Sequence, residues 1–362
     1  MGIFRCMIVA QKEFVDHLTS KRFFVIMALF LIILIIGMYQ GLGEYNENLA
    51  AYQEKMTAVE SGTLTGWTPD KPSILSVFSA ISDQVVIIGA VLAIAIGFDL
   101  VSKEKETKTL KTLLSHPIYR DEVINGKAIG GSAAILLAIG VVLLVSLAML
   151  LIVGILPTID EFSAILTFGV VSVLFLLVYF TLALTLSTLA PDSGSALIAT
   201  LVVFIILSSL LPIAGEITID TWAGEQPEAP FVQTFIMSGD GALISTGEER
   251  DPQEEKEVMM KYEAEAEAYY EKKMTVTAIV EAASPQTNYK KIIGAIVDPY
   301  HVAVKENSPS GPFTVMVTDP DTAPPHFMDV LAGIWGNIVL LLALPGVLFL
   351  TAYLCFMRID VR

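Results

Sequence analysis

The sequence predicts an all-α membrane protein. It has six transmembrane helices, an N-terminal interfacial helix and a mixed α/β extracytoplasmic domain between helices five and six. Three observations predict it. Of the 362 residues 54% are hydrophobic and only 17% charged, with a mean hydropathy of +0.66, whereas soluble domains carry about 25% charged residues. Six stretches are long and apolar enough to cross a bilayer, which takes roughly 20 residues each. Lys and Arg collect in alternate connections, as the positive-inside rule requires.

Residues 1–22 come first. Ile3, Met7, Ala10, Phe14 and Leu18 share one helical stripe, while Arg5, Lys12 and Asp16 lie on another. This pattern suits a helix lying along the cytoplasmic leaflet with its basic groups near the headgroups, or the start of the first span itself. Because this amphipathic segment precedes the first apolar run, no cleavable signal peptide is expected. The spans follow at about 23–42, 76–98, 128–156, 164–190, 194–214 and 329–357. The third and fourth contain long uncharged runs, "AAILLAIGVVLLVSLAMLLIVGIL" and "AILTFGVVSVLFLLVYFTLALTLSTL". In the second, Asp83 and Gln84 interrupt the run. A carboxylate there must face water or a partner, so Asp83 is a pathway group or an outer-interface group. The sixth holds Pro345, which kinks a spanning helix without ending it.

Basic residues orient the chain. Residues 1–22 carry four, residues 99–127 carry six, and the tail 358–362 adds Arg358 and Arg362. These three segments fall on one side if six helices alternate, which puts both termini in the cytoplasm of a multi-pass cell-membrane protein. The opposite side receives an outer loop, 43–75, and a 112-residue segment, 216–327, holding 20 Asp and Glu against 8 Lys and Arg. In that segment "EEKEVMMKYEAEAEAYYEKKM" reads as a helix with Val258, Tyr262, Ala266 and Tyr269 on one face. "VTAIV" and "FTVMVT" have strand character and "ENSPSGP" reads as a turn, hence the mixed α/β expectation.

Chemistry of its own is largely absent from the chain. It lacks the phosphate loop G-x-x-x-x-G-K-[ST], the metalloprotease H-E-x-x-H and the hydrolase G-x-S-x-G. His17, His116, His301 and His326 fall two to each side of the membrane, so a site built from all four is not expected. His301 and His326 with Asp319 and Asp321 are ordinary outer-face polar groups or an outer metal site. Cys6 and Cys355, at opposite ends, make no disulfide framework. No nucleic-acid partner is expected.

One charged segment stands between the second and third spans, in the connection 99–127. "SKEKETKTLKTLLS" forms a short helix with Leu110, Leu113 and Leu114 as an apolar edge, ended by Ser115-His116-Pro117. A rigid amphipathic knob of this kind suits a partner protein's groove. The stretch resembles the cytoplasmic loop of permease subunits of the type-2 ABC exporter family, whose pattern runs roughly E-x-E-x-x-T-L-x-x-L-L-x-x-P-I-x-R, then G-K. This sequence supplies Glu104, Glu106, Thr109, Leu110, Leu113, Leu114, Pro117, Ile118, Arg120, Gly126 and Lys127 in that order. Lys108 departs from the family, which usually has Gly before the Thr. "QKEFVDHLTSKRFFVIMALF" near the start and "SPQTNYKKIIGAIVDPY" before the last span are similar to the same family.

The resemblance implies a permease subunit of an ATP-driven exporter. It would bind no cofactor itself and work with a separate ABC ATPase subunit in two copies that holds the ATP and Mg. The permease would be a homodimer, or a heterodimer with a related permease, and the loop would be the coupling helix. The chain would then not be an enzyme by itself. Small residues offer close-packing faces for assembly: Gly130, Ala134 and Ala138 in the third span, Ser195 and Ala199 in the fifth. The alternative reading is a multi-span sensor or scaffold with an extracytoplasmic ligand-binding domain. An intramembrane enzyme would need paired catalytic groups at one depth, and a secondary transporter internal repeats. The sparse polar positions Thr181, Thr185 and Asn337 are compatible with a lipid, a hydrophobic peptide or a drug as substrate and choose among none of them.

Overall fold

In the computed structural model, residues 2–61, 72–109, 119–227, 235–237, 243–245, 252–297 and 327–359 are described. Six helices are long and apolar enough to cross a membrane. An N-terminal helix, Gly2–Thr19, precedes them and breaks at Ser20, whose extended backbone lets its hydroxyl cap the first span by accepting from the Phe23 amide. That first helix runs Lys21–Glu60, well past the expected end at 42. Residues 43–60 are rich in Ala, Glu, Gln, Lys and Met, good helix formers that carry the helix beyond its apolar part.

Two spans contain π-helical turns. Span 2 comprises Ser76–Gln84, a π turn at Val85–Gly89 and Ala90–Gly97, and ends in the short helix Ser102–Glu106. Span 5 comprises Ser193–Ile205, a π turn at Ile206–Leu210 and Leu211–Trp222. Its irregularity has a local cause. Pro212 lacks the N–H that would bond one turn back, and the Leu207 carbonyl accepts instead from the Ser284 hydroxyl at 3.0 Å. Spans 3 and 4 are the single helices Arg120–Ile152 and Ile159–Leu189, the latter opened by a capping box between Thr158 and Glu161. Span 6, Phe327–Met357, continues through Pro345.

Span 4 is the hub and packs against spans 2, 3, 5 and 6. Spans 5 and 6 keep most of their apolar surface outward. Both chain ends lie on one face of the bundle, since Arg120 at the start of span 3 bonds the Ile359 carbonyl and the N-terminal helix packs along span 3. We call this the terminal face and its opposite the far face.

Three expectations are corrected. The mixed α/β domain between spans five and six is not supported. "VTAIV" lies inside the helix Pro252–Ala283, because nothing breaks that helix before Ser284-Pro285. "FTVMVT" lies outside the described residues. Apart from a two-stranded ribbon, Phe235–Met237 with Leu243–Ser245, and the irregular residues 223–227 and 284, the described part of this segment is helical. In the helix Pro252–Ala283 Tyr262, Ala266 and Tyr269 are buried, whereas Val258 is exposed. The second correction concerns Gly130, Ala134 and Ala138. They do not offer a face for assembly: a Cβ on Gly130 would stand 2.7 Å from the Ala10 carbonyl oxygen, and both alanines are fully buried within the chain. Ser195 and Ala199 do remain at the surface. Third, the N-terminal helix does not turn the stripe Ile3–Met7–Ala10–Phe14–Leu18 to a single environment. Ala10 is buried against span 3, with Phe14 and Leu18 packed on the core, while Met7 is exposed together with Phe4, Ile8 and Val15.

A 13-residue helix, Pro285–Val297, wedges between spans 2, 4 and 6 toward the far face. It buries Tyr289, whose hydroxyl shares a 2.8 Å hydrogen bond with Ser172 and whose ring stacks on Phe175. Asn288 and Asn337 pair reciprocally at 2.6 and 2.9 Å. Thr181 and Thr185 bond carbonyls of their own helix, and Thr185 also donates to the Leu348 carbonyl. These polar spots are internally satisfied.

Candidate functional site

The connection between spans 2 and 3 rises from the terminal face. Its middle part, 110–118, with Leu110, Leu113, Leu114, Pro117 and Ile118, lies outside the described residues. Its two roots, 99–109 and 119–127, are described, and five polar side chains there each reach a different span. Asp99 takes the Arg22 guanidinium of span 1 at 3.0 Å, and that guanidinium also covers the Phe98 ring. Glu104 takes Lys127 of span 3 at 2.8 Å. The Lys105 ammonium donates to the Thr188 and Ala190 carbonyls, satisfying the C-terminal end of span 4. Glu106 accepts from the Ser193 amide at 3.2 Å and hydroxyl at 2.9 Å, where a carboxylate complements the N-terminus of span 5. Arg120 donates to the Met357 and Ile359 carbonyls at the end of span 6. From span 4, the Ser187 hydroxyl accepts from the Val101 and Ser102 amides.

The innermost part of this arrangement is an ion triad. Lys127, 2% exposed, lies 3.0 Å from Glu13 of the N-terminal helix and 2.8 Å from Glu104. A lysine this deep keeps its charge only when paired, and here two carboxylates hold it. Burial works against the Glu13 carboxylate, but the Lys127 ammonium and its hydrogen bond outweigh burial and hold Glu13 below the usual carboxylate range. Next to it, burial pushes the His17 imidazole below its ordinary value, against the pull of Glu13 and Asp99. Gly126 and Gly130 let the N-terminal helix approach. A Cβ on Gly126 would meet Val9 Cβ at 2.6 Å. Glu13, His17, Asp99, Glu104 and Lys127 line a cleft of about 700 Å³ between the N-terminal helix, the start of span 1 and the loop root.

The candidate site residues that are described fall into three groups. Glu104, Glu106, Arg120, Gly126 and Lys127 come together at the loop root. Thr109 is exposed, with its hydroxyl 2.8 Å from that of Thr107. Asp83 is elsewhere, near the far face, paired with Lys290 at 2.8 Å. Lys108, where the family usually has Gly, adopts φ 58°, the left-handed backbone that glycine takes without cost. Sequence reasoning missed Glu13, His17, Asp99 and Lys105. The available signal was Lys127 itself, a charge entering an apolar span that requires a buried counter-charge. Among the described residues no group of three or more His, Cys, Asp or Glu stands where it could hold a metal ion. His301, His326, Asp319 and Asp321 lie outside them.

The family model described as "ABC-2 family transporter protein" matches residues 7–361, nearly the whole chain. The chain belongs to the ABC-2 transporter family. No curated protein matches it. Membership makes the chain a membrane-spanning permease component of an ABC transporter, a transport component and not itself a catalytic enzyme.

Proposed function

We propose that this ABC-2 permease is the translocation subunit of an ATP-driven exporter and that connection 99–127 is its coupling element. Its terminal face would lie in the cytoplasm. There the loop would seat in a separate ATPase subunit that holds ATP and Mg, two copies of each subunit completing the transporter. One observation carries the reading. The described roots of a single short loop are tied to spans 1, 3, 4, 5 and 6 by Asp99, Glu104, Lys105, Glu106 and Arg120, and the loop is continuous with span 2. A push on such a loop reaches all six spans at once. In this reading the charges of connection 99–127 fasten the loop to the bundle, and Leu110, Leu113 and Leu114 are what it offers a partner.

Copurification from native membranes tests this. The tagged chain should bring down an ATP-hydrolysing subunit in equal amount, and Leu113→Ala with Leu114→Ala should lose it while the chain still inserts. Capture of no such subunit by the parent chain, or undiminished capture by the double variant, overturns the reading.

A further inference from the structure

The N-terminal helix is held to the bundle in an unusual way. It packs along span 3 on one face only, and the opposite face leaves Phe4, Met7, Ile8 and Val15 exposed. Its junction with span 1 is the single extended residue Ser20 (φ −73°, ψ 133°). At Gly126 and Gly130 there is no side chain to separate the two helices. An ionic tie on the packed face joins Glu13 to Lys127, and Lys127 is also what Glu104 of the loop root holds. A rigid helix with a one-residue joint at one end and a charged attachment two turns away is built as a lever.

We infer that Glu13 is a positioning residue for coupling: through Lys127 it makes the N-terminal helix move as one body with the loop root. The inference rests on the coupling reading proposed above. The chemistry favours a specifying role over a merely stabilising one. A buried ion group gives little net stability compared with well-packed apolar residues, but it fixes one register, because any slip leaves a charge desolvated and unpaired. Here the register fixed is that of two elements, separated by the whole of spans 1 and 2, on one lysine of span 3. Glu104 Oε2 is buried and has no hydrogen-bond partner among the described residues, so Lys127 is the ion that orients this carboxylate. Displacement of Glu104 by the loop therefore pulls on Lys127, and Glu13 with its helix must follow or leave a charge uncovered. Bending at Ser20 passes the motion into span 1.

Spin labels in the full chain, with Cys6 and Cys355 replaced by Ser and the protein in lipid nanodiscs, give the test. Labels go on exposed Gln11 of the N-terminal helix, exposed Thr109 of the loop root and, as reference, exposed Asp160 at the start of span 4. Without a partner, the Gln11–Thr109 distance distribution should be narrow in the parent and several-fold broader in Glu13→Gln and in Glu104→Gln. The double variant should be no broader than either single, since both act through Lys127. Lys21→Gln, which removes an exposed charge from the same cleft, should leave it narrow. A distribution as narrow in Glu13→Gln as in the parent overturns the inference, as does additive broadening in the double variant. With the ATP-hydrolysing partner bound and trapped by ATP and vanadate, Gln11 and Thr109 should both shift relative to Asp160. In Glu13→Gln only Thr109 should shift, and an unchanged shift of Gln11 overturns the inference. If Thr109 does not respond to nucleotide in the parent complex, the coupling reading has failed, and the partner-free distances still decide whether Glu13 binds the two elements together.

Discussion

Two lysines of this protein lie 2.8 Å from a carboxylate, Lys127 from Glu104 on the terminal face and Lys290 from Asp83 near the far face. The distances are the same and the settings opposite. Lys127 is 2% exposed and its partners Glu104 and Glu13 are 18% and 9% exposed, whereas Lys290 and Asp83 are 48% and 61% exposed. Coulomb attraction at a given separation grows as the dielectric falls, and so does the cost of removing either partner. The first pair belongs to a closed group whose members depend on one another. The second lies open at the surface of the bundle. Distance alone says nothing about which of them the fold relies on.

The largest expected effect follows from breaking the closed group at its centre. Lys127→Met keeps an unbranched side chain one atom shorter and leaves Glu13 and Glu104 without their cation. Removing one partner from a buried ionic group costs about 3–5 kcal/mol. Thermal unfolding in detergent should show a fall of that size, with the N-terminal helix released from span 3. A variant that unfolds at the parent's temperature would mean that water reaches the triad and that its burial carries no weight.

Acid titrates the same group from its edge. The His17 imidazole, pressed below its ordinary value, faces Glu13, Asp16, Asp99 and Lys127. The unfolded chain therefore takes up this proton first, and stability declines once the pH falls below the free imidazole value of about 6.5. Glu13 is also depressed, so its contribution is present above the usual carboxylate value and is lost as the pH drops through its lower folded value. Unfolding temperature should thus fall in two stages on acidification. In His17→Gln the upper stage should vanish and the lower remain. A flat profile between pH 7 and 5 in the parent would exclude the imidazole from the packed face.

How far the sequence was legible depends on where the determining interaction lies along the chain. The six spans are local features, fixed by uncharged apolar runs that only a bilayer accommodates. The loop residues Glu104, Glu106 and Arg120 were legible as a pattern, but not in their roles as caps for spans 5 and 6 and as a tie to span 3, because Ser193 and Ile359 are distant in sequence. Glu13 was missed for the same reason: its partner is 114 residues away. A helical stripe through Ala10 and Phe14 directs attention to the apolar neighbours of Glu13. The strand character of Val276-Thr-Ala-Ile-Val was overridden because it continues an uninterrupted helix of strong helix formers. Single-position departures were more telling. Lys108 marked the place where the backbone turns left-handed.

The smallest expected effect concerns the exposed pair, and it distinguishes the two settings open to Asp83. Asp83 lies in the second turn of span 2, next to the π turn at Val85–Gly89, and Lys290 reaches it from the wedge helix Pro285–Val297. If this part of the far face is in contact with water, Asp83→Asn costs no more than about 1 kcal/mol, since exposed ion pairs contribute little and salt screens them further. The wedge helix would stay in place, because Tyr289 with Ser172 and Asn288 with Asn337 hold it independently of charge. If instead lipid or a closed pathway surrounds the pair, Lys290 would be left as a desolvated cation, and the loss should approach that of Lys127→Met. Unfolding of Asp83→Asn and of Asp83→Asn with Lys290→Gln separates the cases. In the aqueous setting both variants stay within about 1 kcal/mol of the parent and differ little from each other at high salt. In the desolvated setting the single variant is much the weaker, and neutralising Lys290 restores most of the loss.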